Sequence, residues 1–134
     1  MILVDLNVVL DVLQRREPHF HASARVMEKS VRGEIRAYLP AHAFTTIHYL
    51  VQRYQNRSKA DEAIDWLLKY FEVAKVGREE LIRARGIKLT DFEDSVVTAA
   101  ALDADCRCVI TRNIKDFKEA PIDALTPEEF LLTL

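Results

Sequence analysis

Only three glycines, Gly33, Gly77 and Gly86, are scattered through the 134 residues. A phosphate-cradling P-loop or a dinucleotide fingerprint needs clustered glycines so that backbone can approach phosphate. The chain therefore excludes a P-loop ATPase and a Rossmann dehydrogenase. No apolar run nears the roughly 20 residues needed to span a bilayer, so no membrane partner is expected. The first residues carry early acids instead of the basic start of a signal peptide, and a cytoplasmic protein is the expectation. Net charge is only −2, which advertises no nucleic-acid surface, although 19 Lys and Arg leave room for a local patch. Two cysteines, Cys106 and Cys108, lie in an apolar run. On a strand they would share a face, but no second Cys or His pair follows at zinc-ligand spacing, so buried structural thiols are expected.

What remains is a soluble globular composition, with 49% apolar and 30% charged residues, long enough for a single domain spanning 1–134. Strand-like runs occur at 1–5, 35–39, 72–76, 107–111 and 122–125. Helical stripes lie between them: Phe20, Ala24, Met27 and Val31; Phe44, Ile47, Val51 and Tyr54; Ile64, Leu67, Leu68 and Phe71 after Ser58 as N-cap. Two capping boxes are legible, Thr90 with Glu93 and Thr126 with Glu129, the latter with Pro127 in the first turn. Alternating strands and helices predict an α/β domain, a parallel sheet of four or five strands with helices on both faces. Such sheets place their sites at the carboxyl ends of strands, where strand order reverses.

Acids gather at those places in the sequence. Asp5 ends the first strand, with Asn7 and Asp11 following on the next helix. Asp94 shares the side of its helix with Val97 and Ala101, a placement costly for a carboxylate unless it is paired or bound to a cation. Asp91 lies one turn earlier, and Thr111, Arg112, Asn113 and Asp116 follow the fourth strand. Crowded carboxylates repel, and a hard divalent cation resolves the conflict. Mg²⁺ or Mn²⁺ suits such an oxygen-rich set. Either ion lowers the pKa of bound water and polarises a phosphate, the chemistry of phosphodiester hydrolysis.

Three stretches, "VDLNVVLDVL", "DFEDSVVTAAAL" and "VITRNIKDF", in this order resemble the PIN-domain family of metal-dependent nucleases, notably its small VapC-type toxin ribonucleases. The resemblance implies a Mg²⁺- or Mn²⁺-dependent endoribonuclease, a homodimer and a cognate antitoxin. It makes Asp5, Asp94 and Asp116 the catalytic and metal-holding acids, with Asp91 as an added one. Asn7, Thr46, Thr111 and Asn113 become supporting residues, and Arg112, beside the cluster, is the candidate for holding the RNA backbone. One departure stands out: Thr46 occupies the place of the family's usual second acid, a Glu, and Asn113 a place often filled by Asp. Two negative charges are thereby missing, so a catalytically impaired scaffold binding RNA or protein is the alternative.

Simpler roles compete. Asp5 and Asp91 suit helix N-termini, Asp116 could close a turn, and Glu93 belongs to the capping box. Asp11 is as readily an ordinary paired or solvated residue. His19 and His21 read as surface residues, and His42 and His48 lack a nucleophile for a triad. A phosphatase of the doubly wound type would need Asp-x-Asp after the first strand, where this chain has Asp5-Leu6-Asn7.

Overall fold

Short runs of β-branched and other apolar residues form five strands in a computed structural model that describes residues 1–134. They are β1 (Ile2–Val4), β2 (Ala37–Pro40), β3 (Glu72–Ala74), β4 (Cys108–Ile110) and β5 (Asp123–Leu125). All pair in parallel, in the order β3-β2-β1-β4-β5. Leu3 pairs with Tyr38 on one side and Val109 on the other, making β1 the centre of the sheet. The strands are shorter than the apolar runs because Asp5 and Pro40 already serve as N-caps of the helices that follow.

The helices are α1 (Leu6–Leu13), α2 (Phe20–Val31), α3 (Ala41–Tyr54), α4 (Arg57–Tyr70), α5 (Arg78–Ile87), α6 (Phe92–Asp103) and α7 (Pro127–Leu132), with a 3-10 turn at Ile114–Phe117. Alternation along the central strands splits the core. Ile2, Val4 and Ile110 pack into one cluster with Val8, Ile47, Leu67 and Phe130. Leu3 and Val109 pack on the other face with Val97, Ala101 and Phe117. Burial on both faces explains why β1 and β4 read as continuous apolar runs. No helix is long and apolar enough to cross a membrane.

Several local expectations need correction. Asn56, not Ser58, caps α4, its side chain accepting from the Lys59 N–H at 2.8 Å. Asp91, not Thr90, caps α6, accepting from the Glu93 N–H at 2.8 Å, so the proposed Thr90–Glu93 box does not form. The Thr126–Glu129 box does form. Tyr54 is 68% exposed at the end of α3, and Leu68 is exposed because adjacent residues of a helix, about 100° apart, cannot share the stripe that Leu67 occupies. Cys106 and Cys108 do not share a face. Cys106 precedes β4, after Asp105 in a left-handed conformation (φ 59°), and packs on one side of the sheet while Cys108 packs on the other. Both are free and buried, and burial pushes the Cys106 thiol up to about 11, which leaves it inert at neutral pH.

Candidate active site

Strand order reverses between β1 and β4, and their carboxyl ends open side by side. Asp5 leaves β1 there and is 93% removed from solvent, at 7% relative exposure. One carboxylate oxygen accepts from the Leu6 N–H at 2.8 Å, capping α1. The other accepts from the Thr111 hydroxyl at 2.9 Å and from the Asn7 amide at 3.3 Å. Capping and site placement thus coexist in one side chain. Burial raises the Asp5 pKa, against the lowering effect of Thr111 and Leu6.

Thr111 ties the two strand ends together. It is fully buried, donates to Asp5, and accepts from the Asn7 amide at 3.3 Å and the Asn113 N–H at 3.1 Å. The Asn7 carbonyl oxygen in turn accepts from the Arg112 N–H at 3.3 Å. Thr111→Val keeps the shape but removes the three bonds of the hydroxyl and leaves a buried carboxylate short of a donor. We expect a loss of about 2 kcal/mol, read as a lower urea midpoint with unchanged slope.

Asp94 stands in the first turn of α6, half-buried beside Val97 and Ala101. Burial, then the charges of Asp91, Asp5, Asp116 and Glu93, push its carboxyl up to about 7. Those acids come from α6, the end of β1 and the turn after β4, so the fold brings them within electrostatic reach of one another. They are not a ready-made chelate: no three His, Cys, Asp or Glu side chains meet at metal-ligating distance. Asp116 is exposed in the 3-10 turn, Asp91 is exposed and engaged as a cap, and Asn113 is exposed. Thr46, in the second turn of α3, is partly exposed and has no hydrogen-bond partner within the protein.

The sign of the Asp94 shift sets a stability prediction. Its folded pKa lies above the unfolded value near 3.8, so the native state binds the extra proton. Stability therefore falls as pH rises from about 4 to about 7 and stays low above. With solvent screening discounted, Asp94→Asn should stabilise the cation-free protein by about 1–2 kcal/mol at pH 8 and by little at pH 4. Urea melts in EDTA at the two pH values check this.

Two neighbours of the cluster escape a sequence reading. Glu93, freed from the expected capping box, has its carboxylate 3.9 Å from His42 Nε2. His42 also lowers the Asp5 pKa from the first turn of α3, two residues beyond β2. Its Nδ1 is buried without a partner. Its place just past the carboxyl end of a strand is the one signal by which it could have been found. His48 pairs with Asp61 at 2.8 Å, away from any nucleophile.

Arg112 has its Nε 2.7 Å from the carboxylate of Asp11, which is completely buried. No Arg112 Nη atom makes a hydrogen bond within the protein, and a quarter of the side chain is exposed.

A hard divalent cation fits these residues in one form. The donors are oxygens and the charge around Asp94 is crowded, which suits an ion that takes one or two carboxylates and completes its shell with water. A closed cage of protein ligands does not fit.

The fold and cleft are those of a doubly wound α/β protein with an acidic site at its switch point. The PIN domain family model matches residues 1–115, and the chain belongs to the PIN-domain family. Solved structures share the fold. FitAcB from Neisseria gonorrhoeae superposes with a TM-score of 0.74 at 19% identity, covering 96% of this chain and 99% of that one. A toxin–antitoxin complex from Klebsiella pneumoniae gives 0.71 at 19% identity, covering 95% of this chain and 98% of that one. Mycobacterium tuberculosis VapC20, described as a Sarcin-Ricin loop cleaving toxin, gives 0.62 at 14% identity over 81% of this chain and 87% of its own. No curated protein matches the chain significantly.

Proposed function

We propose that the chain is a divalent-cation-dependent endoribonuclease and the toxin of a toxin–antitoxin pair. The observation that supports this most is Asp94, held near neutrality in its ionisation by burial and by carboxylates from three separate segments at the switch point. Membership of the PIN family adds nuclease chemistry, and the toxin–antitoxin neighbours add an antitoxin partner. A homodimer and a cytoplasmic location complete the reading.

In this reading Asp5 and Asp94 hold Mg²⁺ or Mn²⁺ directly or through water, and Asp116 and Asp91 add negative charge around it. When bound, the ion supplies an activated water and neutralises charge on the phosphate. Asp5 is oriented by Thr111 and Asn7; Asn113 shapes the turn that brings Asp116 in. Thr46 offers an unengaged hydroxyl to water or phosphate, and Arg112 offers its Nη donors to the RNA backbone. RNA cleavage in Mn²⁺ or Mg²⁺, lost in EDTA, is the test.

A second reading has its own support. Thr46, and acids that do not form a metal-ligating group of three, favour a scaffold that binds RNA or a protein without cutting. It predicts RNA binding with no cleavage in any divalent cation.

A further inference from the structure

We propose that Asp11 is a positioning residue for phosphate recognition, holding Arg112 by one edge so that the other faces the RNA backbone. This rests on the ribonuclease reading of the neighbouring cleft and assigns a residue that reading does not use.

Asp11 lies on α1, six residues beyond Asp5, with no exposed surface. A carboxylate in such a place costs several kcal/mol unless it is paired, and an apolar residue of similar volume commonly does as well or better. Packing alone therefore gives no reason for an acid here. One oxygen accepts from Arg112 Nε at 2.7 Å and from the Ser23 hydroxyl at 3.3 Å, while the other, Oδ1, is buried with no partner. No other carboxylate pairs with Arg112.

The guanidinium is planar, with five N–H donors in a fixed fork. Fixing Nε–H on Asp11 sets the plane and leaves the four Nη donors, none of which is used within the protein. The main chain of Arg112 is fixed as well, through Asn7, which also bonds the Asp5 carboxylate. The arginine is thus anchored at backbone and side chain on the network that places the acidic cluster. Phosphate oxygens are the natural acceptors for such a fork. A cleft lined with acids needs a cation held in place to accept an anionic backbone, and a free arginine would fold back on those acids instead.

The test is binding of a labelled single-stranded RNA, followed by anisotropy in EDTA. The parent protein is Asp94→Asn, which has less repulsion in the cleft and should not cut. Added to it, Asp11→Asn preserves volume but releases the arginine. Arg112→Lys preserves charge and can still pair with Asp11, but carries its donors on a single nitrogen, without the planar fork that presents a second edge. Each should weaken RNA affinity by about tenfold, the scale of one charge-assisted contact. Together they should weaken it no more than either alone, since they break one arrangement. Melting curves of the same proteins separate binding from stability. Unchanged RNA affinity in Arg112→Lys, or a fall in melting temperature without a fall in affinity in Asp11→Asn, would make the pair a structural brace and overturn the proposal. Should Asp11→Asn fail to fold, Arg112→Lys decides. A parent that binds no RNA overturns the ribonuclease reading along with this one, whereas a parent that binds, with variants that bind equally, overturns this one alone.

Discussion

Asp94→Asn should lower RNA cleavage by about a thousandfold while leaving the fold intact, on the scale of losing one charge that acts at a phosphoryl centre. The side chain is nearly isosteric, and burial with the neighbouring carboxylates already pushes its carboxyl up to about 7. Neutralising it should relieve repulsion instead of breaking a bond. A loss of activity therefore cannot be charged to unfolding, particularly if the variant melts higher than wild type at pH 8. Asp5→Asn should reduce cleavage by a similar factor but with a stability change of its own, because Asp5 accepts hydrogen bonds from Leu6, Asn7 and Thr111. Equal cleavage by wild type and both variants would mean a contaminating nuclease or a site elsewhere.

Millimolar Mg²⁺ or Mn²⁺ should raise the melting temperature relative to EDTA. At a hundredfold excess over the dissociation constant, linkage gives about 2.7 kcal/mol, or roughly 10 °C for a domain of this size. The gain should be larger at pH 8 than at pH 5. Below pH 7 the cation must displace the proton on Asp94, whose pKa is raised to about 7. Asp94→Asn should lose most of the gain. A pH-independent shift that persists in the variant would place cation binding elsewhere on the surface.

The architecture was open to sequence reading because β1 and β4 are buried on both faces and so are unbroken apolar runs, while α2, α3 and α4 bury one stripe each. α5 was not, for its buried side is only Ala84 and Glu80, and Leu81 and Ile82 face solvent. Cap positions slipped by one or two residues at Asn56 and Asp91. Neighbouring polar residues compete for a helix end, and tertiary packing selects between them. That slip mattered: it took Glu93 out of the cap and into contact with His42.

The placement of Asp5 and Asp116 after strands, and of Asp94 on the apolar side of α6, was legible. Their separation was not, because spacing along a chain says nothing about whether loops close to ligating distance or stop short of it. Nor was the Asp11–Arg112 pair, whose members lie 101 residues apart. Periodicity speaks only within an element, and this contact is made between α1 and the turn after β4.

Carbon-13 observation of the Asp94 carboxyl across a pH titration, with and without Mg²⁺, probes the gathered acids most directly. Without the ion the resonance should titrate near 7, and with it the midpoint should fall by a unit or more as the cation replaces the proton. A midpoint close to 4 that Mg²⁺ leaves unmoved would mean that these carboxylates neither crowd one another nor share an ion.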